Sequence, residues 1–214
     1  STRNFQDDSS LYVPQALRQL LLFPYEVGSD FVASLLSGSW NAVNNAYSRL
    51  PISTEQVLHV QKYLENEQPV EVALPSLDPL LHAGWEEIRR NVVGEFYLAA
   101  ILEQVADRTT AKRAAAGWGG DAYTIYRNGE GQGLIAMKFC WDNDAELDEF
   151  WQELVAFLTS EGLGAGTSKI DGTTVLWSGS IRSARAHKSP NSVLLVIGHE
   201  AQTVNLVTEF LSHN

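Results

Sequence analysis

The chain has 214 residues, a formal net charge of −11 at pH 7 and a pI near 4.8. A charge of this sign repels phosphate backbones and anionic lipid headgroups, so nucleic acid and anionic membrane surfaces are not predicted as partners. The hydrophobic content of 44% suffices for one substantial core or two modest ones. No membrane-spanning segment is predicted.

The cysteine content and the N-terminal residues restrict the class of protein further. Cys140 is the single cysteine, which excludes an internal disulfide framework and any metal site built from several thiolates. It is predicted to be a small buried thiol in a strand. Residues 1–5 include neither Met nor a signal-peptide hydrophobic region, so the sequence predicts a processed or excised portion of a longer protein.

The first half of the sequence has helical periodicity as far as Ala116. The first helix is predicted to stop at Pro24, because the residue before a proline disfavours helical backbone angles. The best-defined helix start is Ser53, which can cap a helix running to Leu64. The remaining predictions for this half are short helices over residues 28–36 and 40–50, a connector over 65–79 and a long helix over 85–106.

Beyond Gly117 the hydrophobic period changes from 3.6 to 2, which predicts a helical region over residues 1–116 and an α+β region over 117–214. The two regions are predicted either to be separate or to share one core. The second region is predicted to contain strands over residues 122–127, 134–141, 173–178, 181–188 and 192–198, and helices over 147–158 and 201–211. The order β-β-α-β-β-β-α predicts an α+β fold, with an N-terminal helical layer followed by a mainly antiparallel sheet that has helices on one face.

Glu55 and His59 are the first candidate functional residues. They are four residues apart on the well-capped helix, so both side chains could point into one site. There they could serve as a ligand pair, or as a catalytic base and the group that orients it. An ordinary ion pair on a helix surface explains the same spacing.

Trp118, Gly119, Gly120 and Asp121 form the second candidate cluster, with Tyr123 beside it. The glycines permit positive φ angles and the close approach of a ligand or of another chain segment. Asp121 can hydrogen-bond the turn. The cluster is interpreted either as a substrate or protein contact surface with exposed aromatic side chains, or as a helix C-cap followed by a tight entry into the first strand.

A complete metal or nucleophile site is not found in the sequence. His199 and Glu200 begin a His-Glu-x-x-His pattern, but Thr203 stands where the second imidazole is needed. We therefore predict no metal ligands and no cofactor for this chain.

Three segments carry a family resemblance when they are taken together: residues 22–32, 53–59 and 114–121. This set resembles the C-terminal half of a family of exported bacterial and haloarchaeal proteins or lipoproteins that look like zincin-type metallopeptidases. The resemblance implies that a His-Glu-x-x-His helix and a later glutamate ligand lie upstream of the first segment, so that zinc would belong to a longer parent. It also implies an exported or cell-envelope location.

Three functions follow as expectations. The leading one is the non-metal-binding C-terminal portion of a zincin-like peptidase, acting as a substrate-side wall plus an accessory domain, with His59 donating a hydrogen bond to a developing oxyanion. The rival is a non-enzymatic binding or structural module of the cell envelope that uses the surface of Trp118 and Tyr123. Both expect a peptide or protein ligand. The third is a small-molecule pocket between the helical layer and the sheet. The sequence does not specify the oligomeric state.

Overall fold

The structure, a computed structural model, describes residues 15–81, 84–160 and 163–213. The N-terminal helical layer consists of α1 (Gln15–Gly38), α2 (Trp40–Ser48), α3 (Thr54–Leu58) and α4 (Val60–Leu64). The remaining elements are β1 (Trp85–Asn91), α5 (Glu95–Leu102), α6 (Arg108–Ala115), β2 (Trp118–Asn128), β3 (Gly133–Trp141), α7 (Asp144–Thr159), β4 (Gly166–Asp171), β5 (Thr174–Gly179), β6 (Ser183–Lys188), β7 (Ser192–Gly198) and α8 (Ala201–Ser212). The predicted α+β class, with a helical layer before an antiparallel sheet, is confirmed.

The sheet has seven strands in the order β1-β2-β3-β7-β6-β5-β4, and each neighbouring pair is antiparallel. β7 lies at its centre, where Val193 is opposite Phe139 of β3 and Lys188 of β6. β7 is an uninterrupted apolar run and is buried along almost all of its length. A continuous apolar strand of this kind requires cover on both faces of the sheet.

The two faces of the sheet are covered by different helices, which corrects the expectation that the helices share one face. On one face, Phe150 and Leu154 of α7 belong to the core that contains Val193. On the other face, Val204 and Val207 of α8 pack in a second core with β7 and with the loop residues Leu74 and Leu77. The alternation of side chains along β7 supplies both cores.

α1 continues through Pro24 rather than stopping there. Proline removes a single helical hydrogen bond. The second half of the helix is held in place because Phe31 and Leu35 are buried against Val43 and Tyr63 of the helical layer. By length and composition the stretch Ala16–Gly38 is also apolar enough to cross a membrane, a test that core helices and signal sequences pass as well. Only 11% of its most apolar window is buried. The absence of a membrane-spanning segment stays a prediction.

The predicted helix over residues 85–106 is wrong in its first part, which forms the edge strand β1. Trp85, Ile88 and Val92 have helical spacing, but the backbone breaks at Gly94, where φ is +79°, and α5 begins only at Glu95. A positive φ is adopted readily by glycine. β4 is a further difference, since it lies in a glycine-rich stretch for which the sequence analysis predicts no strand.

Candidate functional site

The loop that carries His59 differs from the sequence prediction. Ser53 caps α3 as expected, because its Oγ accepts a hydrogen bond from the backbone N–H of Gln56. However, α3 ends at Leu58, and His59 has φ −121° and ψ 85°, so α4 is a separate helix. Glu55 and His59 therefore do not share one helical face, and their side chains have different partners.

His59 forms a pair with Glu95, the first residue of α5. The distance between His59 Nε2 and Glu95 Oε1 is 2.8 Å. Glu95 is only 4% exposed, whereas the imidazole is 42% exposed. The hydrogen bond to Glu95 raises the pKa of His59 above its ordinary value, in spite of the opposing effect of burial. The carboxylate thus favours an imidazolium whose Nδ1–H is left to donate elsewhere.

This pair lies at a pocket of about 400 Å³ between α1, α3, α5 and α6. The apolar part of the lining includes Phe23, Val27, Leu58, Phe96, Ala99 and Ala100. The rings of Phe23 and Phe96 are in contact, with their centroids 4.2 Å apart. A pocket of this size with apolar walls and a few polar groups is typical of small-molecule and peptide sites.

The charged groups around the pocket are partly matched to one another. Glu95 is paired with His59, and Glu103 lies 3.7 Å from Arg108 and also accepts a hydrogen bond from Gln19. Lys112 lies on the rim and forms no ion pair with any residue that the structure describes. Lys112 and the Nδ1–H of His59 can therefore meet an anion, and Glu26 on the rim opposes them. Arg113 also lines the pocket, and its guanidinium lies 3.5 Å from the exposed carboxylate of Glu149.

Glu55 bonds to Lys62 rather than to His59 and belongs to a cluster centred on Lys62. The Lys62 ammonium lies 2.7 Å from Glu55, 2.7 Å from Glu67 and 2.8 Å from Asp142. Glu55 is 2% exposed, and burial raises its pKa although Lys62 lowers it. Burial also disfavours the charged form of Lys62, but its hydrogen bonds to the three carboxylates outweigh that effect and raise its pKa.

The three carboxylates of this cluster lie close enough together to hold a metal ion. One oxygen atom from each carboxylate lies within 4.8 Å of the other two. The Lys62 ammonium lies among them and supplies the positive charge that such a group requires. We therefore interpret the cluster as a partly buried ion network that connects α3 and α4 to Asp142, which follows β3.

The second predicted cluster is part of the core rather than an exposed surface. Trp118 is 1% exposed, so its expected role in a contact surface is corrected. Its indole N–H donates to Asp121 Oδ2 at 2.8 Å, and Asp121 also accepts from the backbone N–H groups of Val93 and Gly94 at 2.6 and 2.7 Å. Burial raises the pKa of Asp121, and the three donors act in the opposite direction. The carboxylate joins the start of β2 to the turn between β1 and α5.

The glycines of this cluster allow another chain segment to approach, as the sequence analysis proposes. A Cβ atom on Gly120 would lie 2.3 Å from the carbonyl oxygen of Val70, and the Val70 N–H donates to the Gly119 carbonyl at 2.7 Å. Gly117 has φ +76°. The geometry of the chain accounts for these glycines, in keeping with the alternative of a tight entry into the first strand.

Replacing Gly120 with alanine is expected to destabilise the protein by about 2 kcal/mol, because the added methyl overlaps backbone that cannot rotate away. The free energy of unfolding in urea measures this effect. Gly129→Ala is the matched control, since a Cβ there has no neighbour within 4 Å and the backbone is not in the left-handed region. Equal stabilities for the two variants would contradict the argument.

The predicted site residues are thus distributed over four places. His59 lines the pocket, Glu55 lies in the Lys62 cluster, and Gly119, Gly120 and Asp121 are buried at the start of β2. Tyr123 is partly buried and lines another hollow, beside Arg89. Glu95 and the aromatic walls of the pocket are not apparent from the sequence, because their positions depend on contacts between distant segments.

Comparison with family models gives one match. The model of a domain of unknown function (DUF8575) matches residues 80–208, more than half of the chain. This range includes Glu95, Asp121 and Lys112, whereas His59 and the helical layer lie before it. Neither the curated proteins nor the solved structures contain a match.

Proposed function

Since the chain belongs to the DUF8575 family, a domain of unknown function, we propose a role from its site geometry alone: it is a binding module for a ligand with an apolar body and an anionic group. The observation that carries the proposal is the His59–Glu95 pair at the edge of an apolar pocket of about 400 Å³. The ligand class is a hydrophobic carboxylic acid or the C-terminal residue of a peptide.

The orientation of His59 defines its role in the proposal. Glu95 accepts the Nε2–H, so the imidazolium can donate its Nδ1–H to a carboxylate oxygen in the pocket. Lys112 adds a second positive charge at the rim. The aromatic rings of Phe23 and Phe96 provide the contact for the apolar body of the ligand.

The same geometry favours binding over covalent catalysis. The hydrogen bond to Glu95 raises the pKa of His59 and so favours its protonated form, which is a donor rather than a general base. The described lining residues include no serine, threonine or cysteine that could act as a nucleophile.

A matched pair of ligands tests the proposal: 1-naphthaleneacetate and its neutral amide, 1-naphthaleneacetamide, titrated by isothermal calorimetry at about pH 6. The carboxylate is expected to bind at least ~10-fold more tightly than the amide, because only the carboxylate pairs with the imidazolium. His59→Gln is expected to remove most of this difference, and Lys112→Gln a smaller part of it. Lys169→Gln, on the exposed strand β4, is the control that leaves it unchanged.

The pH dependence of binding has a definite sign. The folded-state pKa of His59 is raised, so the preference for the carboxylate is fully present below the ordinary pKa of histidine and is lost as the pH rises through the higher, folded-state value. Equal affinities of the two compounds at every pH, or a preference that His59→Gln leaves undiminished, would refute the proposal.

The zincin-like role is a second proposal about the same pocket. In a longer catalytic protein, His59 would donate to the oxygen of a bound peptide, and the walls of the pocket would contact its side chain. The half-exposed imidazole favours this role for His59, whereas the burial of Glu55 under Lys62 removes Glu55 from it. The relation to zincin-like peptidases stays a prediction, because the family match carries no function.

A further inference from the structure

α1 exposes an apolar stripe on the side that faces away from the molecule. Phe31 and Leu35 on its inner side are buried, at 7% and 2% exposure. The stripe on the outer side consists of Leu17, Leu21, Tyr25, Gly28, Val32 and Leu36. Its five large side chains are between 39% and 78% exposed, with Tyr25 the most exposed of them. The spacing of three and four residues places the stripe along one side of the helix.

The stripe is symmetric about a point between Glu26 and Val27. Leu17 and Leu36 are equally distant from that point, and so are Leu21 and Val32. The innermost pair consists of Tyr25, a large residue, and Gly28, the smallest one. A surface that matches itself after a two-fold rotation is what an isologous dimer interface requires.

We propose that α1 is the interface of a homodimer, in which the α1 helices of two copies pack antiparallel across this point. Leu17 then meets Leu36 of the second copy, and Leu21 meets Val32. Tyr25 lies over Gly28 of the second copy. A Cβ added to Gly28 would have the carbonyl oxygen of Phe23, at 4.0 Å, as its neighbour. An aromatic ring can therefore approach Gly28.

Charge and packing favour a second copy over a lipid bilayer. Helices that lie on membranes carry Lys and Arg beside their apolar side, whereas α1 has a single basic residue, Arg18, with Glu26 and Asp30. The other side of α1 packs against α2, α3 and α5, so the helix cannot be surrounded by lipid without leaving the fold. The ligand pocket is on that inner side as well, so the dimer leaves it accessible.

Sedimentation equilibrium of the full chain tests the proposal. A mass of twice 23.6 kDa is expected, and Tyr25→Glu is expected to raise the dimer dissociation constant at least ~100-fold, because it places a charge in the centre of an apolar interface. Ala33→Glu is the matched control, on the same helix, exposed and outside the stripe. Circular dichroism verifies that both variants keep the helical content of the parent.

Disulfide trapping in a Cys140→Ser background tests the antiparallel register. Leu21→Cys combined with Val32→Cys is expected to cross-link two chains under mild oxidation, since the two positions face each other in the dimer. Leu21→Cys alone is not expected to do so, because its counterpart lies about 16 Å away along the helix. Within one chain the same separation prevents a bridge.

Four results would overturn the proposal. They are a monomer at all concentrations, a dimer that persists in Tyr25→Glu, efficient cross-linking of Leu21→Cys alone, and a monomer that floats with phosphatidylcholine vesicles. The last result would identify lipid as the partner of the stripe. A dimer that dissociates in Tyr25→Glu and cross-links in the double variant alone would establish the interface.

Discussion

Lys62→Met is expected to lower the free energy of unfolding by about 3 kcal/mol at pH 7, because it leaves the carboxylate of Glu55 buried without a counter-charge. This value is at the lower end of the range for broken buried ion pairs. The pairs of Lys62 with Glu67 and Asp142 contribute little to it, because both carboxylates are more than one-third exposed and solvent screens their charges. Urea denaturation followed by fluorescence measures the loss. Lys62→Met with Glu55→Gln should regain most of it.

The loss in Lys62→Met should depend on pH with a definite sign. Burial raises the pKa of Glu55, and removal of Lys62 withdraws the main interaction that lowers it. An acid with a raised folded-state pKa costs stability above that pKa, and this cost declines as the pH falls from that value to the ordinary pKa of the carboxyl group. The difference from the parent protein should therefore shrink on acidification from neutral pH. A difference that stays constant or grows would show that Glu55 is not the cause.

A divalent cation offers an independent check on the same variant. Without the ammonium, three carboxylate oxygens lie within 4.8 Å of one another, a geometry that suits the oxygen ligands of Ca²⁺. Millimolar Ca²⁺ is expected to restore part of the stability of Lys62→Met and to have little effect on the parent, in which Lys62 is in place. The double variant with Glu55→Gln, which has one ligand fewer, should respond less.

Asp121→Ala is expected to lower the free energy of unfolding by about 4 kcal/mol. It removes the common acceptor of three N–H donors, those of Val93, Gly94 and the Trp118 indole. Trp118 and Gly94 are buried, so water cannot replace the lost acceptor without opening the structure. The free energy of unfolding in urea measures the total loss, and the hydrogen exchange of the Val93 and Gly94 amides reports the local one.

Asp171→Ala is the control for Asp121→Ala. Asp171 is exposed at the end of β4, so its replacement should change stability by no more than about 0.5 kcal/mol. Asp121→Asn should fall between the two, because the amide keeps one acceptor oxygen but directs an N–H group at the remaining donors. An Asp121→Ala variant as stable as the control would mean that the turn before α5 does not depend on this carboxylate.

The sequence predicts the elements whose side-chain pattern is local and strong. The stripe of α7 and the apolar run of β7 identify both elements correctly, and the strands after Gly117 other than β4 follow from a period of two. The sequence does not predict β1, because an exposed edge strand lacks an alternating apolar face. The few apolar residues of β1 fit a helix equally well. The helices on both faces of the sheet follow from the double-sided burial of β7, which depends on the whole fold.

The candidate site was only partly predictable for a related reason. The sequence singles out His59, but its partner Glu95 lies 36 residues further on and reaches it through the packing of α3 against α5. The expected partner, Glu55, requires one continuous helix from Ser53 to Leu64, and the break at His59 separates the two side chains. The sequence does not reveal that Trp118 is buried either, because glycine-rich stretches occur both in binding loops and where two chain segments cross closely.

The order of the strands divides the sheet into two parts, each connected by neighbours in sequence. β1 to β3 form one part and β4 to β7 the other, and the parts meet where β3 pairs with β7. This seam joins residues about 60 positions apart, such as Leu134 and Gly198, so its closure has the largest entropic cost of any ladder in the sheet. α7 packs on strands from both sides of the seam, which makes the β3–β7 junction the step on which cooperative folding of the whole sheet depends.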